Sequence, residues 1–136
     1  MKTCGIEIDN NTAILVSLEK YDDGTIEVCE HSTKLSLAEH EDSTAVREFA
    51  DILHSQLDTI GADSICIIKR QMKGQFAAGG LSFKIEALIQ CYEDVEIELI
   101  SLPTIKAFIK KNSMSIKAKY KYQENALKAA FYLISK

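Results

Sequence analysis

Apolar positions recur with a two-residue period over the first third of the chain and with a helical period over much of the rest. Thr3 to Asp9 is a short apolar run in which Cys4, Ile6 and Ile8 share one side of a strand and Glu7 and Asp9 the other. Asp9-Asn10-Asn11-Thr12 is a turn sequence, and Ala13 to Lys20 resumes the alternation through Ile14, Val16 and Leu18, which predicts a hairpin. Asp22-Asp23-Gly24 is a second turn signal. The β-branched stretch Thr25 to Leu37 then predicts a third strand returning antiparallel to the second.

The period changes after the polar stretch Glu39 to Ser43, where Val46, Phe49, Ala50, Leu53 and Leu57 fall on one helical face that ends near Gly61. Ser64 to Ile68 is an uninterrupted apolar run of the kind produced by a strand buried on both faces. The small-residue stretch Lys73 to Gly80 leads into Leu81, Ile85, Leu88, Ile89 and Tyr92 at helical spacing. Val95 to Ile100 then alternates Val95, Ile97 and Leu99 inward with Glu96 and Glu98 outward, as at a sheet edge. Pro103 suits the first turn of a helix continuing through Ile105, Phe108 and Ile109 to Lys111. A basic connector follows. The last helix, Tyr122 to Ile134, puts Tyr122, Ala126, Ala129, Ala130 and Leu133 on one face.

Composition narrows the class. With 136 residues, 46% of them hydrophobic, the chain suits one domain, residues 1–136, with a core that needs no disulfide or metal. No apolar run is long enough to span a membrane and the N-terminal residues lack a signal-peptide core, so a cytoplasmic protein without a membrane partner is expected. Cys4, Cys29, Cys66 and Cys91 lie apart within apolar runs and read as buried reduced thiols. His31, His40 and His54 lack zinc-ligand spacing.

The net charge of -4 conceals a polarity along the chain: Met1 to Asp63 holds 14 acids and 4 bases, whereas Thr104 to Lys136 holds 8 lysines and the single acid Glu124. Such asymmetry suits an anionic partner, and it equally suits a solvated face or a contact with the acidic half of the same fold or of a second subunit.

The predicted order is three hairpin-connected strands, then helix, strand, helix, strand, helix, and the right-handed crossover rule makes the last two strands parallel members of the same sheet. This is the element order of the ribonuclease H-like fold. The expected architecture is therefore an α/β, mixed five-stranded sheet, with three antiparallel hairpin strands plus two parallel strands and helices on both faces. Gly5-Ile6-Glu7 resembles the first-strand Gly-Ile-Asp signature of the RuvC-like branch, with Glu7 at the metal-binding Asp. Lys73 to Gln90, Pro103-Thr104-Ile105-Lys106 and Gln123-Glu124 more specifically resemble a family of small uncharacterised bacterial proteins, a domain of unknown function. That second resemblance spans nearly the whole chain and implies a fold without an activity.

The superfamily resemblance implies a mechanism in which two divalent cations, Mg²⁺ or Mn²⁺, about 3.5–4 Å apart stabilise the attacking and leaving oxygens of a phosphodiester. Carboxylates from the first strand, the end of the fourth and the last helix must then converge. On that reading Glu7, Asp9 and Glu124 are the catalytic candidates, with Glu7 and Glu124 as metal ligands and Tyr122 and Gln123 as substrate contacts. At the end of the fourth strand, however, Lys69 and Arg70 stand where an acid is expected. A cation there repels a metal and suits a phosphate or Glu7 itself.

Three functional classes follow. In the first, the protein is a nucleic-acid-binding domain of nuclease ancestry with weak or lost catalysis, using Lys69, Arg70, Lys73, Lys106 and Lys110. In the second it is an active metal-dependent nuclease, and in the third a non-catalytic interaction or assembly module, which would form a homo-oligomer. Each site residue also has a plainer role: Glu7 as an ion-pair partner of Lys69, Asp9 as a turn residue, Glu124 as an acid favoured by a helix N-terminus, and Ala77 to Gly80 as a helix-packing segment.

Overall fold

The computed structural model describes residues 1–30, 32–70 and 79–136. Strand β1, Lys2–Asp9, turns at Asn10 (φ 54°) into β2, Thr12–Lys20, with Glu7 opposite Ile14 and Asp9 opposite Thr12. Two short strands follow, β3, Ile26–Val28, and β4, Thr33–Ser36, and both pair antiparallel with β2, the first near its end and the second near its start. The single third strand expected from Thr25 to Leu37 is thus broken in two, and the sheet has six strands instead of five.

Helix α1, Ser43–Ile60, is capped at its start by the Asp42 carboxylate, which accepts from the Thr44 N–H at 3.1 Å, and stopped at Gly61, whose φ of 64° favours glycine. Strand β5, Ser64–Lys69, pairs parallel with β1. Helix α2, Gly80–Gln90, crosses back to β6, Glu96–Ser101, which pairs parallel with β5. Helix α3, Leu102–Asn112, carries Pro103 in its first turn. A 3₁₀ turn, Lys121–Gln123, introduces α4, Glu124–Ser135. The path across the sheet is β3-β2-β1-β5-β6, with β4 also on β2, so β1 is an interior strand.

Strand alternation divides the core in two. Cys4, Ile6, Ile8, Ile65 and Ile67 pack with Phe49, Leu53, Leu57, Ile85 and Ile89 beneath α1 and α2. On the opposite face, Ile14, Val16 and Leu18 meet Ala126, Leu127, Ala130 and Phe131 of α4, while Cys66 and Ile68 meet Ile105, Ala129 and Leu133.

Three local expectations change. Cys91, at the end of α2, is exposed, whereas Cys4 and Cys66 are buried and burial pushes both thiols up to about 12. Leu99 is 41% exposed on the edge strand, whereas Ile97, on the same face, packs against the α1–α2 core. Tyr122 is 42% exposed instead of facing inward, because the α-helical period begins only at Glu124, after the 3₁₀ turn.

Candidate functional site

The polar half of β1 meets α4. The strand places Thr3, Gly5, Glu7 and Asp9 toward the helix, and α4 runs back along it so that its first turn lies near Glu7 and its middle near Thr3. The Thr3 hydroxyl donates to the Ala130 carbonyl at 2.8 Å. At Gly5 the two backbones almost touch: a Cβ there would lie 2.0 Å from the Ala126 carbonyl oxygen, 2.5 Å from the Ala130 nitrogen and 2.9 Å from the Ala129 Cβ. Only glycine fits between the strand and a helix built there from alanines.

This seating brings Asn125 to Glu7. The Asn125 carboxamide Nδ2 donates to Glu7 Oε2 at 2.8 Å, both side chains being half-buried. An interior-strand carboxylate is thereby satisfied by a neutral donor. Glu124, the acid expected to face Glu7, is exposed one position earlier, and Asp9 is exposed at the hairpin. Among the described residues no three or more His, Cys, Asp or Glu side chains gather into a group able to hold a metal. The donors around Glu7 therefore do not fit a two-cation centre. Asn125 escapes a search of the sequence for acids. The signal that finds it is the match between Gly5 in the strand and Ala126 and Ala130 in the helix, which sets residue 125 opposite residue 7.

The basic candidates are dispersed. Lys69 is exposed at the end of β5, and alternation places it on the face of Ile65 and Ile67, opposite to Glu7. The expected Glu7–Lys69 ion pair is absent among the described residues for that reason. Arg70 is folded inward: its guanidinium pairs with Glu86 of α2, donates to the Ile68 carbonyl at 2.9 Å and lies 5.4 Å from the centre of the Phe83 ring. Lys106 and Lys110 are exposed one turn apart on α3. Lys73, with the stretch around it, lies outside the described residues.

A family model described as "Protein of unknown function (DUF3010)" matches residues 1–133. The chain belongs to the DUF3010 family. No curated protein matches it. Among solved structures, this DUF3010 protein is similar to Thermus thermophilus RuvC, with a TM-score of 0.73, 10% identity and coverage of 96% of this chain and 91% of that one. RuvC of the same organism in complex with a Holliday junction substrate gives a TM-score of 0.72 at 12% identity, covering 96% and 90%. Fowlpox virus resolvase, in complex with Holliday junction DNA, gives 0.55 at 14% identity, covering 98% and 93%. At such identities the likeness shows the fold alone, and that fold is the RuvC-like, ribonuclease H-like one that the sequence implied. Within the described residues of this DUF3010 protein, no helix is long and apolar enough to cross a membrane.

Proposed function

We propose that this protein is a nucleic-acid-binding domain of nuclease ancestry whose catalytic centre is weakened or lost. One observation carries the reading: the side chain that α4 presents to Glu7 is the Asn125 amide, not a second carboxylate. Two divalent cations need several negative oxygens to replace their hydration shells. A single carboxylate that already accepts from an amide supplies too few. The end of β5 runs Ile68, Lys69, Arg70 and supplies no acid, and the exposed Lys69 ammonium, on the other face of the sheet, suits a phosphate. Lys69, Lys106 and Lys110 offer the exposed charges that a nucleic-acid backbone requires, and the two structures of similar fold bound to junction DNA support a nucleic-acid partner here.

The test is binding of labelled single-stranded, duplex and branched oligonucleotides by fluorescence anisotropy across a salt series. Affinity is expected to fall steeply with salt as condensed counterions are released, and to weaken in a Lys69→Ala/Lys106→Ala variant. The same substrates incubated with Mg²⁺ or Mn²⁺ are expected to stay intact, with binding unchanged in Glu7→Gln. Absence of binding at low salt would overturn the nucleic-acid reading. Metal-dependent cleavage that disappears in Glu7→Gln would restore the active nuclease.

One observation favours the interaction module instead. Leu35, Leu37, Phe49 and Ile52 of α1, the last 52% exposed, line a shallow groove of about 240 Å³ that Ser36, Glu39 and Glu48 also border. That reading expects a defined oligomer by light scattering and no response to any oligonucleotide.

A further inference from the structure

The segment leading into α4 carries a feature that the Glu7 site does not use. The Tyr120 and Tyr122 rings stack with centroids 5.7 Å apart and planes 5° from parallel, yet they are 49% and 42% exposed. Aromatic rings are ordinarily turned into a core, and here two parallel rings stay almost half exposed at the surface. They are held by the chain: the buried Gln123 carboxamide accepts from the Tyr120 N–H at 3.1 Å, and the Gln123 N–H donates to the Tyr120 carbonyl at 3.0 Å. A closed turn thus fixes the pair before any ligand arrives.

Cations surround the rings. The Lys34 ammonium lies 4.6 Å from the centre of the Tyr122 ring and the Lys119 ammonium 5.4 Å from that of Tyr120. Both tyrosines border a groove of about 600 Å³ between the β3–β4 break and the connector, which Lys117 and Lys119 also line against the one acid Glu30 among the described residues. Pairing sets the groove beside the candidate site. Glu7 lies opposite Ile14 on β2, and Ile14 opposite Lys34 on β4, so Glu7 and Lys34 share one row and one face of the sheet, roughly 10 Å apart at two strand spacings.

We propose that Tyr120 and Tyr122 form a stacking platform for the unpaired bases of a nucleic acid, with Lys34 and Lys119 taking its phosphates. This rests on the nucleic-acid reading above and adds a substrate class to it: strands with exposed bases, such as single strands or unpaired segments, rather than uniform duplex. The chemistry matches on both counts. Every base has a π-face that stacks on an aromatic ring whatever its sequence, and the adjoining phosphate needs a cation within reach. A base settling on either ring displaces an ammonium that is only loosely held over it, and the freed lysine then swings to the backbone.

The chain contains no tryptophan, so Tyr122→Trp supplies a unique fluorescent reporter at the platform. Oligo-dT, a duplex of equal length and an abasic strand of equal length are titrated at low salt, with anisotropy followed in parallel. The expected results are preference for oligo-dT over both other probes, quenching of the introduced indole by oligo-dT alone, and at least about a tenfold loss of oligo-dT affinity in Tyr120→Ala/Tyr122→Ala. Tyr120→Phe/Tyr122→Phe, which keeps the rings, is expected to bind within about twofold of the parent. Binding of all three probes with equal affinity, or without quenching, would overturn the platform while leaving phosphate binding by lysines elsewhere intact. Absence of binding to every probe would overturn the nucleic-acid reading itself and the platform with it.

Discussion

The two faces of β1 follow different rules. Toward α1 and α2 the strand offers Cys4, Ile6 and Ile8, which join an apolar cluster with Phe49, Leu53, Leu57, Ile85 and Ile89. Toward α4 it offers Thr3, Gly5 and Glu7: a hydroxyl bonded to a helix carbonyl, an absent side chain, and a carboxylate bonded to an amide. The first face is held by area removed from water, at about 25 cal/mol for each Å² of apolar surface. The second is held by backbone approach and by polar pairs that gain little net energy. A sheet buried on both sides could have been apolar on both. One face gives up this option at Glu7, where β1 meets the first turn of α4, one step beyond the close packing at Gly5.

Substitutions can break this contrast, and the largest effect is expected at its centre. Gly5→Val drives a branched side chain into the α4 backbone, and urea unfolding should show a loss of about 4 kcal/mol or more, or no folded protein. Leu53→Ala, on the other face, should cost about 3 kcal/mol through lost transfer energy and a residual cavity. If Gly5→Val proved the milder of the two, the close seating of α4 would not be the organising contact.

Asn125→Asp sharpens the comparison. It sets two carboxylates at hydrogen-bond distance, where both cannot ionise without cost, so one pKa rises above its unfolded value. A raised carboxylate pKa means stability that is intact at low pH and lost as pH rises through the folded-state value. At pH 7 the variant should be destabilised by about 1–2 kcal/mol, since a tenfold change in the acid's proton affinity is worth about 1.36 kcal/mol. Recovery on adding Mg²⁺ would show that a single exchange rebuilds a cation site. A smaller effect is expected for Glu7→Gln, whose amide oxygen still accepts from Asn125, with stability changed by about 0.5 kcal/mol or less. The smallest concerns the thiols: in the folded protein Cys91 should react first with a chromogenic disulfide reagent, leaving Tm unchanged, while Cys4 and Cys66 stay protected by burial and by thiol pKa values pushed up to about 12.

Periodicity makes most of the architecture legible. The β1–β2 hairpin, α1 with its stop at Gly61 and the buried run of β5 follow from turn residues and spacing, because each depends on neighbours in sequence. The break between β3 and β4 does not, since Thr25 to Leu37 contains no proline or glycine to signal it and both pieces pair with the same strand. A helical wheel puts Tyr122 on the wrong side because it cannot foresee that one 3₁₀ turn precedes α4. Part of the site is legible as well: Glu7 does lie where strand and helix meet. Its partner is missed by one position, since acids attract attention in a bare sequence whereas an amide such as Asn125 gains meaning only from what faces it. Lys69 is expected beside Glu7 because adjacency of strands is visible in the element order, while the side of the sheet depends on a register that is not.

The contact at Gly5 also bears on how far this sequence has been free to drift. Because helix and strand are spaced there by main-chain atoms, the frame does not depend on which groups occupy positions 7, 69 and 125. An acid, an amide or an amine can be exchanged at those places while the scaffold keeps its dimensions. A likeness of fold at a TM-score of 0.73 with only 10% identity is what such independence permits. Chemistry at the mouth of the sheet can thus be lost or gained without rebuilding the sheet.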